Sequence, residues 1–406
     1  MALSRRTLLT AAAASGLPLS STRAQSPVIK VGVLTDMSGP YAGQAGPTSV
    51  ACARQAVQDF GTAAGFQVEV VVADHRNNAD IGSGIARQWI DQEGVDFIVD
   101  LPNSGVALAV SGVVRAKDKV CSTNATTTEL TSGACSPNTI QWTVDTYMLA
   151  KSTGGAIIKE GGASWYFVTA DYTFGHILER DTSRMVTAAQ GKVLGSVAYP
   201  FPSTTDFSSY LVQAQTSGAK VLGLATSGAD TVNCVKQAHE FGLTQQGMRI
   251  AGLLVYVDDI DALGLETAQG LLLTETFYWD LNDRTRRFME RVKSKIGDRC
   301  PNMSHAGTYA GTLHYLKAVA SLGAAQAKAS GAVVVNRMKA MSTDDDCFGM
   351  CNIREDGLMM HPAYLFQVKS PAESHGRWDY YNLVATTPAE EAAPPLAEEK
   401  CPLIRT

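Results

Sequence analysis

Two short polar runs hold the residues best placed to do chemistry. Pro102-Asn103-Ser104-Gly105 follows the apolar stretch from Val95 to Val99, and Asn124-Ala125-Thr126-Thr127-Thr128-Glu129-Leu130-Thr131 follows the stretch from Val120 to Thr123. Each lies just past the carboxyl end of an expected strand, where an open α/β sheet presents backbone N–H groups and hydroxyls to a ligand. Donors of this kind suit a carboxylate. Asn and Ser at a strand-to-helix junction are also ordinary helix N-caps, and the residues alone leave both uses open. The second run matters because it brings a second set of donors to the same sheet edge.

Other chemistries lack their residues. The seven histidines are scattered without metal-ligand spacing. Gly39, Gly43 and Gly46 have no following Lys-Ser/Thr, Gly82-Ser83-Gly84 lacks the third glycine of a dinucleotide loop, and no serine sits in a Gly-x-Ser-x-Gly elbow. Nothing in the chain requires an enzyme or asks for a cofactor or metal.

The elements that position the donors repeat one pattern. Strands at Val28 to Thr35, Gln67 to Ala73, Val95 to Val99 and Val120 to Thr123 alternate with helices at Pro47 to Phe60, Ser83 to Glu93 and Val106 to Arg115. That interval predicts a parallel sheet with helices on both faces. The alternation restarts with a helix from Tyr147 to Lys159 and strands at Ser164 to Thr169, Val193 to Tyr199, Val221 to Ala225 and Ile250 to Val257. Loops after these strands carry Asp171-Tyr172 and Thr226-Ser227-Gly228-Ala229-Asp230. From Gln269 a further strand closes on Glu275, Phe277 and Tyr278. Helices follow at Thr285 to Ile296, Ser304 to Ala320 and Gly331 to Met341, then a last strand from Ala363 to Lys369. Pro388 to Pro402, rich in Pro, Ala and Glu, reads as a surface tail.

A chain of 406 residues exceeds what one hydrophobic core serves, so two α/β units are the expectation. The N-terminus, Ser4-Arg5-Arg6-Thr7-Leu8-Leu9 followed by an Ala-rich apolar stretch and Thr22-Arg23-Ala24, has the form of an export signal over residues 1–24. Its arginine pair favours the twin-arginine route, with the general secretory route as the alternative. It has no cysteine for lipid attachment. Removing Arg5, Arg6 and Arg23 takes the formal charge from −5 to −8, which argues against polyanion or nucleic-acid binding. No later run is apolar for long enough to span a membrane. All eight cysteines are in the exported part, where an oxidising compartment favours disulfides. Cys121 and Cys135 flank the second donor run; Cys347 with Cys351 and Cys300 with Cys401 are other conceivable pairs, while Cys52 and Cys234 read as packed thiols.

With Val31-Gly32-Val33, Ser38-Gly39-Pro40-Tyr41, VDFIVDLPNSGVALAV, NATTTELT, Asp171-Tyr172, Phe174-Gly175 and Thr205-Asp206-Phe207 in this order, the chain resembles the type I periplasmic solute-binding proteins of branched-chain-amino-acid-type ABC importers, the leucine-binding-protein-like group. The resemblance implies two doubly wound parallel-sheet lobes joined by a three-segment hinge. Lobe 1 would comprise 28–147 plus 277–357, and lobe 2 would comprise 148–276 plus 358–406 with the tail. It implies a periplasmic, monomeric protein that closes on a ligand and meets an ABC permease and its ATPase. Asn103, Ser104, Asn124, Ala125 and Thr126 would hold a ligand carboxylate, with Tyr41 and Tyr172 facing each other across the cleft and Ser227 beside them.

The chain departs from the amino-acid binders where they place an acid for the ligand's α-ammonium, since it has Leu253-Leu254-Val255-Tyr256 there. A buried ammonium without its partner costs roughly 3 to 5 kcal/mol. The expected ligand is therefore an aromatic or short apolar carboxylate without an ammonium, in a pocket widened by Tyr256, Phe277 and Tyr278. Asp258 or Glu275 would supply the acid if the register differs by a turn. A branched-chain amino acid or amide binder, or the ligand-binding subunit of a periplasmic sensor, is the alternative.

Overall fold

Two parallel sheets divide the chain, and the computed structural model describes residues 26–62 and 65–404 of it. The export signal expected over 1–24 lies outside the described residues. The first sheet comes from β1 (Val28–Thr35), α1 (Gly46–Phe60), β2 (Gln67–Asp74), α2 (Ala79–Gln88), β3 (Phe97–Asp100), α3 (Ser104–Ala116), β4 (Val120–Thr123) and β5 (Thr139–Gln141). Its order is β2-β1-β3-β4-β5, parallel throughout. All four residues of β3 and of β4 are buried, as a sheet covered on both faces requires. Leu34 pairs with Asp100 and Asp100 with Thr123. That register brings the loops after β1, β3 and β4 to one edge.

The second sheet follows α4 (Thr146–Leu149), a π-helical turn (Ala150–Gly154) and α5 (Gly155–Lys159). It is built from β6 (Ser164–Ala170), α6 (Thr173–Ala188), β7 (Lys192–Tyr199), α7 (Ser208–Thr216), β8 (Val221–Ala225), α8 (Ala229–Glu240) and β9 (Arg249–Gly252), in the order β7-β6-β8-β9. Then come α9 (Val257–Leu263), α10 (Leu265–Ala268) and β10 (Leu272–Glu275). The chain returns to the first lobe with α11 (Asp283–Ile296), α12 (Met303–Leu322), α13 (Ala324–Ala329), α14 (Gly331–Lys339) and the small antiparallel sheet β11 (Thr343–Asp345), β12 (Gly349–Ile353), β13 (Met359–Met360). It ends with β14 (Ala363–Val368), β15 (Tyr381–Thr387) and α15 (Ala389–Ala392). Strands β10, β14 and β15 form an antiparallel sheet packed on the second lobe. Among the described residues no helix is long and apolar enough to cross a membrane.

Three expectations are corrected. The apolar run Ile250 to Val257 is not one strand: β9 ends at Gly252, and Tyr256 donates its N–H to Asp259 at 2.9 Å to start α9. An apolar run of that length does not by itself tell strand from buried turn. Cys135 pairs with Cys401, while Cys121, Cys300, Cys347 and Cys351 are buried free thiols, as are Cys52 and Cys234. The surface tail after Pro388 is pinned by that disulfide, and it follows a strand, β15, that the alternation does not predict.

Candidate functional site

The two sheets point the carboxyl ends of their strands at each other, and a cleft lies between them. From the first lobe come Tyr41 and Gln44 after β1, Pro102 after β3 and Thr126 after β4. From the second come Tyr172 and Phe174 after β6, Ser227 after β8, and Leu254 and Tyr256 after β9. Every one follows the end of a parallel strand, the position at which open α/β sheets hold ligands. The space left between them is about 10 Å³, room for about one water. The lobes are therefore shut on each other, and a ligand reaches these residues only when they part.

Several bonds hold the cleft shut. The Tyr41 and Tyr172 hydroxyls hydrogen-bond to each other across it. Ser227 Oγ donates to Gln44 Oε1 at 2.9 Å, and the Ala229 N–H donates to Pro40 O at 3.2 Å. Asn302 Nδ2 donates to Asp258 at 2.7 Å and Ser304 Oγ to Tyr256 Oη at 3.3 Å. Gly228 makes this approach possible: its φ is +61°, and a Cβ there would lie 2.5 Å from Pro40 O. Phe201 stacks on Tyr172 with ring centroids 4.4 Å apart and lies 5.4 Å from Tyr41, so the second lobe meets the cleft as a layer of rings.

The first lobe's donors divide into committed and free. Asn103 is the N-cap of α3, its Oδ1 accepting the Val106 N–H at 3.0 Å and its Nδ2 donating to Asn77 at 3.2 Å. Asn124 Nδ2 lies 2.9 Å from each of Asp100 Oδ1, Ser304 O and Thr308 Oγ1, which ties the end of β4 to α12. Ala125 is buried, with its N–H on Thr123 Oγ1 at 3.0 Å and its carbonyl accepting from Gln141 at 2.8 Å. Ser104, the first residue of α3, is 1% exposed, and its Oγ has no partner among the described residues. A buried hydroxyl without a partner costs free energy in the ligand-free protein; here it stands at a helix N-terminus, where anions are favoured. Just before it, Asp100 and Leu101 have positive φ, +87° and +49°. That is strain of the kind found at ligand sites.

The acids stand behind this surface and not in it. Asp259 accepts the Tyr256 N–H, and burial pushes both Asp258 and Asp259 up to about 7. Glu275 is fully buried, with Tyr381 Oη donating to one oxygen at 3.1 Å; burial first, and then the facing Asp258 and Asp259 charges, hold it well above the usual carboxylate range. Phe277 packs edge-on against Phe288, and Tyr278 Oη donates to Trp378 O at 2.6 Å.

Of the residues singled out by sequence, the cleft therefore gathers Tyr41, Thr126, Tyr172, Ser227 and Tyr256, while Tyr278 and Asp258 lie outside its lining. Ser104 has a free hydroxyl at the lobe-1 edge. Asn103, Asn124 and Ala125 support that edge, and Glu275 and Phe277 belong to the core. Gln44, Pro102, Phe174, Leu254 and Phe201 were not singled out as site residues; for Phe201 the signal was an aromatic between two prolines just past a strand. Among the described residues no cluster of His, Cys, Asp or Glu has the make-up to hold a metal.

A family model described as periplasmic binding protein matches residues 28–375. The crystal structure of a periplasmic binding protein from Burkholderia mallei is 43% identical to this chain, with a TM-score of 0.89 over 93% of this chain and 99% of that one. A branched chain amino acid ABC transporter periplasmic ligand-binding protein from Burkholderia xenovorans LB400 is 36% identical, with a TM-score of 0.80 over 92% of this chain and 99% of that one. Among curated relatives, Leu/Ile/Val-binding protein homolog 6 of Brucella melitensis is 26% identical over 334 residues, covering 80% of this chain and 84% of its own.

Proposed function

This chain belongs to the periplasmic binding protein family, which binds solutes and catalyses no reaction, and from that premise we propose that it captures a small carboxylate for an ABC importer. The ligand we infer is an aromatic or short apolar acid without an α-ammonium.

The observation that carries this reading is the make-up of the second lobe's wall: Tyr172, Phe174, Leu254, Tyr256 and one serine hydroxyl, with no acidic side chain in the cleft lining. An α-ammonium shut in there would lack a counter-charge at a cost of roughly 3 to 5 kcal/mol, two to four decades of affinity. A ring or a short apolar chain suits that wall. The opposite wall supplies Thr126, and two residues along the chain from Pro102 of that wall the unpartnered Ser104 hydroxyl at the N-terminus of α3 is the further donor. Hydrogen bonds to a charged carboxylate contribute about 1.5 to 3 kcal/mol each. Closure then shuts the ligand from water and forms the joined surface offered to the permease and its ATPase.

The names of the Burkholderia xenovorans and Brucella relatives favour a second reading, a branched-chain amino acid ligand. It requires Asp258, Asp259, Glu275 or Asp230, whose charge acts on Tyr41 and Tyr172, to reach the cleft. Thermal-shift comparison of the mature protein with benzoate, 4-methyl-2-oxopentanoate and leucine separates the two. A ligand at a hundred times its Kd adds about 2.7 kcal/mol of stability. Stabilisation by an acid and not by leucine supports the proposal; stabilisation by leucine alone transfers it to the second reading.

A further inference from the structure

The chain passes between the lobes three times, between β5 and α4, between β10 and α11, and between β13 and β14. The tail adds another connection. It leaves β15 on the second lobe, where Lys151 of the π-helical turn donates to Glu391 O. It then crosses to the first lobe: Arg354, in the turn after β12, donates to Pro394 O at 2.7 Å, and the Lys400 N–H donates to Ser132 Oγ at 3.1 Å. Cys401 ends the crossing in a disulfide with Cys135, in the loop between β4 and β5. Ala392 to Pro394 and Cys401 are buried while Pro395, Ala397, Glu398 and Lys400 are exposed, so the segment is anchored at both ends and runs over the surface between them.

Beneath it lies a polar cavity of about 180 Å³ whose walls come from both lobes and from the tail itself. There Arg180 of α6 reaches across to Glu129 of the first lobe at 3.0 Å. Any rotation that carries Cys135 away from Lys151 must strip these contacts from the tail or extend it.

We propose that Pro388–Cys401 is a covalent strap, a fourth link between the lobes that limits how far they open. The apparent affinity of a closing protein falls with the fraction of molecules able to close. A limit on opening keeps the ligand-free ensemble nearer the binding geometry. Cutting the strap widens that ensemble. The inference stands independently of which ligand the cleft takes.

Small-angle X-ray scattering of the mature, ligand-free protein tests it. Dithiothreitol reduces the Cys135–Cys401 bond to two thiols, which mass spectrometry confirms, and a Cys401→Ser variant does the same by genetics. A short Gly-Ser insertion between Pro395 and Leu396 lengthens the strap while keeping the disulfide, and it covers the case in which Cys401→Ser fails to fold. A larger radius of gyration after reduction and after lengthening is the expected result. Scattering unchanged by confirmed reduction, or unchanged by lengthening, overturns the strap and leaves the disulfide a local staple.

Discussion

The two walls of the cleft are made the same way, from loops after parallel strands, yet they offer different things. The first lobe brings hydroxyls and amides whose surroundings are already fixed. Asn103 caps α3 and Asn124 is locked to Asp100 and α12, while Ser104 keeps a buried hydroxyl free. The second lobe brings rings, with Tyr172 stacked on Phe201 and Tyr256 in front of three buried carboxylates. A wall of preset polar groups grips one constant feature of a ligand. A wall of rings takes whatever the rest of that ligand is, provided it carries no charge. Specificity on this account belongs to the second lobe and anchoring to the first.

The largest break in the comparison is to keep both walls and stop them meeting. A Gly228→Ala variant places a methyl 2.5 Å from Pro40 O and removes no ligand contact. Ligand affinity by isothermal titration should fall by about 100-fold or more, about 2.7 kcal/mol, while the ligand-free protein, which avoids Pro40 O by opening, loses only the roughly 1 to 3 kcal/mol that this sparsely populated backbone region costs alanine. An unchanged affinity would mean that the closed arrangement is not the binding one.

Ser104→Ala strikes the anchoring wall alone. Because that hydroxyl has no protein partner, its removal should leave the ligand-free melting temperature unchanged or slightly higher. Loss of a charge-assisted bond worth about 1.5 to 3 kcal/mol should weaken an acid ligand by roughly 10- to 150-fold. A drop in stability without a drop in affinity would return Ser104 to a structural role.

The smallest effect on binding is expected from behind the second wall. Burial raises Asp259 to about 7, so the folded protein holds a proton there that the unfolded chain releases at the ordinary carboxylate pKa. The stability this group contributes is complete below the unfolded value and is lost as pH rises through about 7. Asp258, Glu275, Tyr256 and Tyr381 share its field, so the group titrates as a unit. Asp259→Asn should therefore match wild type in unfolding free energy only below about pH 4, and exceed it by a margin that grows as pH rises to about 7, to on the order of a few kcal/mol near pH 8. Acid affinity should change little. A large loss of affinity would place this carboxylate in the site.

The strands beneath both walls were legible because β3 and β8 are short runs rich in apolar residues and β4 begins with Val-Cys, each passing into Asp, Ser or Thr, and burial on both faces favours that pattern. Tyr41 and Tyr172 were legible because each stands in a turn straight after such a run. What escaped depends on contacts far apart in sequence. Asn124 looks like a ligand donor until α12, some 180 residues later, claims its amide. Cys135 has a near candidate in Cys121 and a true partner 266 residues away. Phe277, two residues past the end of β10, reads as a pocket aromatic, and it belongs to the core because Phe288 and Phe348 pack on it. The start of α9 is set by Asp259 capturing the Tyr256 N–H, which apolar periodicity does not report.

The central claim, that the ring wall refuses an ammonium which the anchoring wall has no means to accept, is tested most directly by a matched pair. Isothermal titration with 3-phenylpropanoate and with phenylalanine compares two ligands that differ only by the α-ammonium. The account predicts that the acid binds about 100-fold or more tightly than the amino acid, the factor set by an uncompensated buried charge. Equal affinity, or tighter binding of phenylalanine, would show that a carboxylate from behind Tyr256 reaches the ligand, and would contradict it.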